Sequence, residues 1–452
     1  MRIKLSAILR KLPKKRLLIS LALALLLVVA DYITANFTFP ILNSADDYHI
    51  TAFLSSLWAK RDRDNSFDSI FCVNMAMEKE LVDIADDFGD PMGNAAVTRR
   101  DMLDTVVNLA REASAANILM DIRFSEGLKS PGDSALFADI MKTDGLVVSR
   151  HRESDFGETP AAIMPKTAMS DYRGLAGSGF SRYEYLQDDQ PSVAAAIWRY
   201  TSGHEITRNG ILYFDNGRLC YNCPFISFPT AAATGVSDNG DILFPYLRTQ
   251  LLGAYTPDEL KEMMKGKTVV IGDFDNDVHD TYVGSVPGPL LGYFAYRTLK
   301  RGDHLVKVFP QILLLTIYWM MIFSVLSPSL INLGRYNGKW MQLAALAAEC
   351  VGYGGILALT DCMFFSIWHV NLLTALPANL IFLLLLARRV TSTVNDNNIS
   401  TVNDNNINTP HKHETNIDNI DSGFGNVTPR QCDGLPDPEV DHSDDSDRQL
   451  QV

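Results

Sequence analysis

Apolar positions in this chain gather into four long runs, and the distance between them organises everything else. One run stands near the start, Leu17–Ala30 with an extension to Phe39, and three crowd together later, at Val308–Leu333, Trp340–Leu359 and Met363–Ala387. A hydrocarbon core about 30 Å thick takes about 20 apolar residues of helix to cross. Each of the three later runs reaches that length. The pattern predicts one N-terminal and three C-terminal transmembrane helices, with a large polar domain between the first and second.

Within the polar region the period of the pattern changes repeatedly. Residues 46–60 place Ile50, Phe53, Leu54 and Leu57 on one helical face. Ser69–Met77 is a short apolar run of strand type, and Asp86–Pro91 has loop composition. Thr98 is placed to cap a helix whose inward face is Met102, Leu103, Val106, Val107 and Ala110. Then come a strand at Asn117–Phe124, a helix at Asp133–Lys142 and a strand at Gly145–Ser149. Further on, Ser192–Tyr200 reads as helix, Gly210–Phe214 as strand, Pro257–Met264 as helix, Lys267–Gly272 as strand and Pro289–Lys300 as helix. Strands alternating with helices in this way predict an α/β domain with a mixed or parallel sheet flanked by helices.

Composition sharpens this picture. The 452 residues are 47% hydrophobic, and the net charge of −13 is spread unevenly. Residues 1–16 carry seven Lys and Arg and no acid, whereas the segment after Val390 is acidic. Basic flanks stay in the cytoplasm. Arg335 and Lys339 lie between the second and third runs, Arg388 and Arg389 follow the fourth, and the Thr360–Cys362 turn has no basic residue. The expected order is a cytoplasmic basic segment (1–16), a first span (17–39), an external domain (40–306) and three spans (308–333, 340–359, 363–387). A cytoplasmic tail (390–452) follows. This puts both termini on the cytoplasmic side of the membrane and the large domain outside. A cleavable leader ending at Ala30 is the alternative to a retained first span. In the tail, Ser392–Ile399 is repeated at Ser400–Ile407 and large apolar side chains are scarce, so disorder is expected. The acidic balance argues against a nucleic-acid partner.

Certain residues matching that pattern point further. Strand Ser69–Met77 is followed by a helix opened by Arg99-Arg100, then by Leu119-Met120-Asp121-Ile122-Arg123-Phe124. Later, Lys265-Gly266-Lys267-Thr268-Val269-Val270-Ile271-Gly272 leads through Asp277-Val278-His279-Asp280-Thr281 to Val286-Pro287-Gly288-Pro289. These segments and the layout of spans resemble CHASE2, an extracytoplasmic sensor domain of bacterial receptors, from about Tyr32 to Arg389. The resemblance implies a signal-transducing sensor in a bacterial inner membrane, with its domain in the periplasm; no nucleophile–base pair or metal-ligand cluster of diagnostic spacing stands in the sequence, so an enzyme is the weakest reading. Receptors of that family usually continue into a cytoplasmic output module. Here no kinase, cyclase or phosphate-cradling motif follows Arg389, so output would pass through a separate cytoplasmic protein. A scaffold that binds another envelope protein is the alternative function. The ligand, the output partner and whether the chain forms a homodimer are left open.

Candidate chemistry falls in four places. Asp273, Asp275, Asp277, His279 and Asp280 follow a buried strand, where α/β sheets gather their ligands. Asp277, His279 and Thr281 are the chosen ligand-binding residues, being in the matching family segment. The opposing reading is that these are loop formers serving local backbone groups. Asp121 interrupts an apolar strand: it either serves the same pocket with Arg123 or His279 as partner, or is a structural ion pair or a strand-end position facing water. Cys220 and Cys223 form a CxxC followed by Pro224, open to a local disulfide or two free thiols; no metal or cofactor is expected. Glu349, mid-span, has His369 as candidate partner and either transmits a signal or fixes helix register.

Overall fold

The computed structural model describes residues 14–36, 70–85, 91–152, 157–171, 180–226, 228 and 246–326. The chain is mixed α/β, built on a six-stranded parallel sheet. In spatial order its strands are β12 (Tyr246–Arg248), β1 (Ile70–Asn74), β13 (Thr268–Gly272), β4 (Asn117–Asp121), β5 (Leu146–Arg150) and β6 (Thr167–Met169). All five neighbouring pairs run parallel.

A parallel sheet must be covered on both faces, so its strands read as nearly continuous apolar runs. Alternation then sends successive side chains to opposite cores. Phe71, Val73, Ile118, Met120, Val269 and Ile271 meet three helices on one face: α2 (Arg100–Glu112), α3 (Asp133–Lys142) and α5 (Pro257–Met264). Ile70, Cys72, Leu119 and Val270 meet two on the other: α4 (Val193–Ser202) and α6 (Gly288–Arg301). Helix boundaries follow local chemistry. Thr256 and Glu259 form a capping box at the start of α5, and Ser192 caps α4 by accepting from Ala195 N–H.

The sequence reading places α3 and α5 at their observed bounds and the main strands within a few residues of theirs. One detail is corrected. Thr98 does not cap α2. Arg99 is the N-cap residue without a side-chain cap, and the Glu80 carboxylate accepts the Arg100 N–H at 3.3 Å instead. That carboxylate comes from a hairpin the pattern did not show, β2 (Lys79–Ala85) with β3 (Pro91–Thr98). A second addition is a three-stranded antiparallel sheet, β9 (Ile206–Asn209), β10 (Leu212–Asp215) and β11 (Arg218–Cys220). Its second turn is Asn216-Gly217 with φ +46° and +78°, the left-handed geometry such a two-residue turn requires. Two short antiparallel pairs complete the described strands: β7 (Leu186–Gln187) with β8 (Gln190–Pro191), and β14 (Val278–Thr281) with β15 (Gly284–Pro287). The expected helix at 46–60, the loop at 86–90, the runs at 340–359 and 363–387, and Glu349 and His369 lie outside the described residues.

Helix α1 (Lys14–Asn36) contains the one stretch among the described residues, Lys14–Ile33, long and apolar enough to cross a membrane. Helix α7 (Val308–Leu326) packs beside it. The end of α1 is wedged into the domain. The Tyr32 hydroxyl donates to Cys220 O and accepts from Tyr213 N–H, both at 3.0 Å. Those two residues face one another across the β10–β11 ladder, so a side chain closes a bridge between strands. Asn36 Oδ1 accepts the Asn222 N–H. Nearby, Gln311 of α7 donates to the Tyr221 hydroxyl at 2.9 Å, and Val306 N–H donates to Leu219 O at 3.0 Å.

Tyr32→Phe keeps the ring but leaves two buried backbone groups unsatisfied. It is expected to cost about 1–3 kcal/mol, read as a lowered unfolding midpoint of the detergent-solubilised chain. An unchanged midpoint would show that the bridge contributes nothing.

Candidate functional site

In an open α/β sheet a cleft forms where neighbouring strands send their following helices to opposite faces. Here that happens between β13 and β4. The chain leaves β4 toward α3 on one face, while β13 leads through β14–β15 to α6 on the other. At the C-terminal ends of these strands lies a cavity of about 440 Å³. Its lining combines Asp121 from the end of β4, Asp273, Asp277 and His279 beyond β13, and His151 and Ser170 beyond β5 and β6. Lys79, Ala96, Val97 and Thr98 of the β2–β3 hairpin and Ile122, Arg123 and Leu128 complete it.

Each polar group has a distinct setting. Asp121 is only partly accessible, and burial raises its carboxyl above the usual range; the Ser149 hydroxyl offsets part of this and the charge of Asp277 adds to it. His279 Nε2 lies 3.0 Å from Asp277 Oδ1. That bond lifts His279 above its ordinary 6.5, partial burial opposes it, and the charges of Asp277, Asp121 and Asp280 add to it. His151 Nδ1 lies 3.0 Å from Asp171 Oδ1. Lys79 Nζ lies 3.5 Å from Asp273 Oδ2. The rim thus carries ion pairs, while Asp121 sits deeper with a carboxyl biased toward its neutral form.

Asp277 is held by the backbone as well as by His279. The Gly288 N–H donates to Asp277 O at 2.7 Å, and a Cβ on Gly288 would overlap the Asp277 carboxylate. Glycine at the start of α6 therefore makes room for the carboxylate. The hairpin and the 122–133 segment are tied together by Arg100, which is fully buried. Its Nε donates to Asp133 Oδ1 at 2.8 Å, its Nη1 donates to Thr98 O at 3.2 Å, and its guanidinium lies 4.5 Å from the Phe124 ring centre. Ser130 Oγ adds a bond to Glu80 Oε1 at 2.7 Å.

Of the residues chosen from sequence, the structure brings Asp121, Asp277 and His279 into one cavity and leaves Thr281 out of its lining. Thr281 is fully buried, and its hydroxyl donates to Gly284 O at 2.6 Å, closing the β14–β15 turn. The loop-forming reading holds for Asp273, whose Oδ1 accepts N–H groups of Asp275 and Asn276. Lys79 and His151 were missed. His151 was within reach of the same reasoning, since it directly follows the end of β5. Lys79 was not, because only the folded hairpin carries it there. Among the described residues no group of three or more His, Cys, Asp or Glu is arranged to hold a metal ion.

Of the two states left open for Cys220 and Cys223, the structure shows no disulfide between them: both are buried thiols. Cys220 closes β11 and bridges to Leu305, while the intervening Asn222 is fixed by bonds to Leu186 and Asn36. Burial, then the charge of Asp215, pushes the Cys220 thiol up. Only a thiolate reacts readily. Maleimide mapping by mass spectrometry should therefore leave Cys72, Cys220 and Cys223 unmodified in the folded chain and label them after denaturation. Labelling of Cys220 before unfolding would contradict its burial.

No family model, no curated protein and no solved structure matches this chain. The site therefore stands on its own geometry.

A folded value above the unfolded one means that His279 contributes stability below about pH 6.5 and loses it as pH rises through the raised value. In an NMR titration His279 should titrate above 6.5, and Asp277→Asn should bring it back toward that value. A His279 titration insensitive to Asp277→Asn would refute the pairing.

Proposed function

We propose that the chain is a membrane-anchored, non-enzymatic receptor whose α/β domain takes a small polar ligand in the cleft between β4 and β13. The observation that carries this reading is the convergence of Asp121, Asp277 and His279 on one cavity at a topological switch point. Burial raises the Asp121 carboxyl above its usual range, and the surrounding pairs offer both signs of charge. The cavity thus suits a ligand with hydrogen-bonding groups, such as a hydroxylated or amine-bearing metabolite. The resemblance of residues 32–389 to CHASE2 sensors supports the same reading.

In this reading α1 is retained as an anchor, and 308–333, 340–359 and 363–387 form a three-span bundle. The domain faces the periplasm and output passes to a separate cytoplasmic protein. A ligand shifts such a receptor only by binding one of its conformations more tightly than the other. One element that bears on the cavity also leads to a helix of the proposed bundle: β13 continues through β14–β15 and α6 to α7.

One observation favours the scaffold reading. Met77, Leu81 and Met92 are exposed on and beside the β2–β3 hairpin, at 66%, 71% and 71%, the kind of apolar surface that partner proteins cover. The two readings separate in one experiment. A thermal-shift screen of the solubilised chain against amines, amino acids, sugars and organic acids should return a ligand. At a hundredfold excess over its Kd the ligand adds about 2.7 kcal/mol of apparent stability. Asp121→Asn should remove the shift and Leu81→Ser should leave it intact. A hit unaffected by Asp121→Asn, or a screen without hits, would count against the receptor reading.

A further inference from the structure

The three carboxylates that line the cavity at the sheet edge are not equivalent. Asp273 lies 3.5 Å from Lys79 Nζ and also accepts the N–H groups of Asp275 and Asn276. Asp277 lies 3.0 Å from His279 Nε2. Asp121, the third, is the one lining carboxylate outside any ion pair among the described residues. Strand order explains its position. On β13 the neighbour of Asp121 is Gly272, which has no side chain. On β5 the position after the Met120–Val148 pair is Ser149, whose hydroxyl lowers the Asp121 carboxyl without bringing a charge.

The charges that bear on Asp121 come from outside the sheet. Asp277 opposes its ionisation, His151 and His279 favour it, and the buried Tyr183 hydroxyl is in turn raised by it. Both histidines already hold another acid: His151 Nδ1 lies 3.0 Å from Asp171 Oδ1, and His279 is the partner of Asp277. Burial is the largest influence against the Asp121 anion, and the Asp277 charge adds to it. A cation seated against the carboxylate offsets both. An anion would instead meet Asp121. Of the cations in the lining, Lys79 and His279 are each held by a carboxylate, and Arg123 is exposed to solvent, where its charge is screened. The remaining lining is apolar. The β2–β3 hairpin contributes Ala96 and Val97, and the chain beyond β4 contributes Ile122 and Leu128. Val97 and Leu128 share one small apolar cluster with Val82. Such a wall gains by being covered with an apolar group.

We propose that the cavity takes a singly charged primary amine with a compact apolar body, its ammonium paired with Asp121 and its body against Ala96, Val97, Ile122 and Leu128. The inference rests on the receptor reading above. It deepens that reading by fixing the sign of the ligand's charge and the end by which it is held.

The test is isothermal titration calorimetry on the full detergent-solubilised chain with three probes that share one body. These are 3-methylbutylammonium, neutral 3-methylbutan-1-ol and anionic 4-methylpentanoate. The ammonium should bind at least about tenfold more tightly than either of the others. Methylammonium, the head alone, should bind at least about tenfold more weakly than 3-methylbutylammonium. Asp121→Asn should bring the three probes within about twofold of one another. If that variant does not fold, the charge series on the unaltered chain still decides. Equal or tighter binding of the alcohol or the carboxylate would overturn the inference and leave a small-ligand receptor standing. Ammonium binding unaltered by Asp121→Asn would overturn it by placing the cation elsewhere. No binding by any probe would overturn it as well, and the broader screen above would then decide the receptor reading on its own.

Discussion

The close approach of α6 to the end of β13 is the contact on which the cleft depends. Gly272 ends the strand, and a Cβ there would overlap the Pro289 ring and lie 3.3 Å from Asp121 O. With hydrogen in that place, the first turn of α6 sits tightly over the sheet edge on one face. Chain leaving β4 turns the opposite way, toward α3. The cleft between these two exits is therefore built by steric permission at a single position. Gly288 extends the same logic by one step, admitting the Asp277 carboxylate where any larger residue would expel it. Neither glycine lines the cavity, yet both set where the acids stand.

Around that edge the polar groups are satisfied in series. Asn74 Oδ1, at the end of β1, accepts N–H groups from Ala76 and Phe274 and so joins the ends of two neighbouring strands. Arg100 does the equivalent work on the far wall. Burial lowers the proton affinity of its guanidinium, and the charge and hydrogen bond of Asp133 oppose that. A buried charge of this kind is tolerated only when paired and hydrogen-bonded. Its partners are the two segments that frame the cavity, so the cost of orphaning it fixes their positions.

The opposite end of the domain is a second polar assembly. His304 Nε2 lies 2.9 Å from Asp215 Oδ2, and both side chains are almost fully buried. Burial alone would raise Asp215, but the His304 hydrogen bond and charge, with Trp198, hold it below the usual carboxylate range. His304 O also accepts the Tyr221 N–H at 2.7 Å. The segment joining α6 to α7 is therefore pinned to the small sheet by side chain and backbone together, as α1 is by Tyr32 and Asn36.

The sequence alone determined the elements with strong periodicity. Helix α3 and helix α5, strand β13 and the apolar helix α1 were all legible because burial on one or both faces writes itself into spacing. Asp121, Asp277 and His279 were legible because charged residues at the ends of apolar strands are conspicuous. The hairpin β2–β3 was not, since its half-exposed strands carry a weak alternation, and the Asn216-Gly217 turn signal was passed over. Only the tertiary structure decided that Lys79 and His151 share a cavity with Asp121, because residues far apart in the chain meet there through sheet order rather than spacing. It alone excluded Thr281, whose hydroxyl is claimed by its own turn, and separated Cys220 from Cys223, whose places are set by neighbouring strands. Periodicity records how much of each element is buried; which elements lie side by side is settled by packing, and no local pattern encodes it.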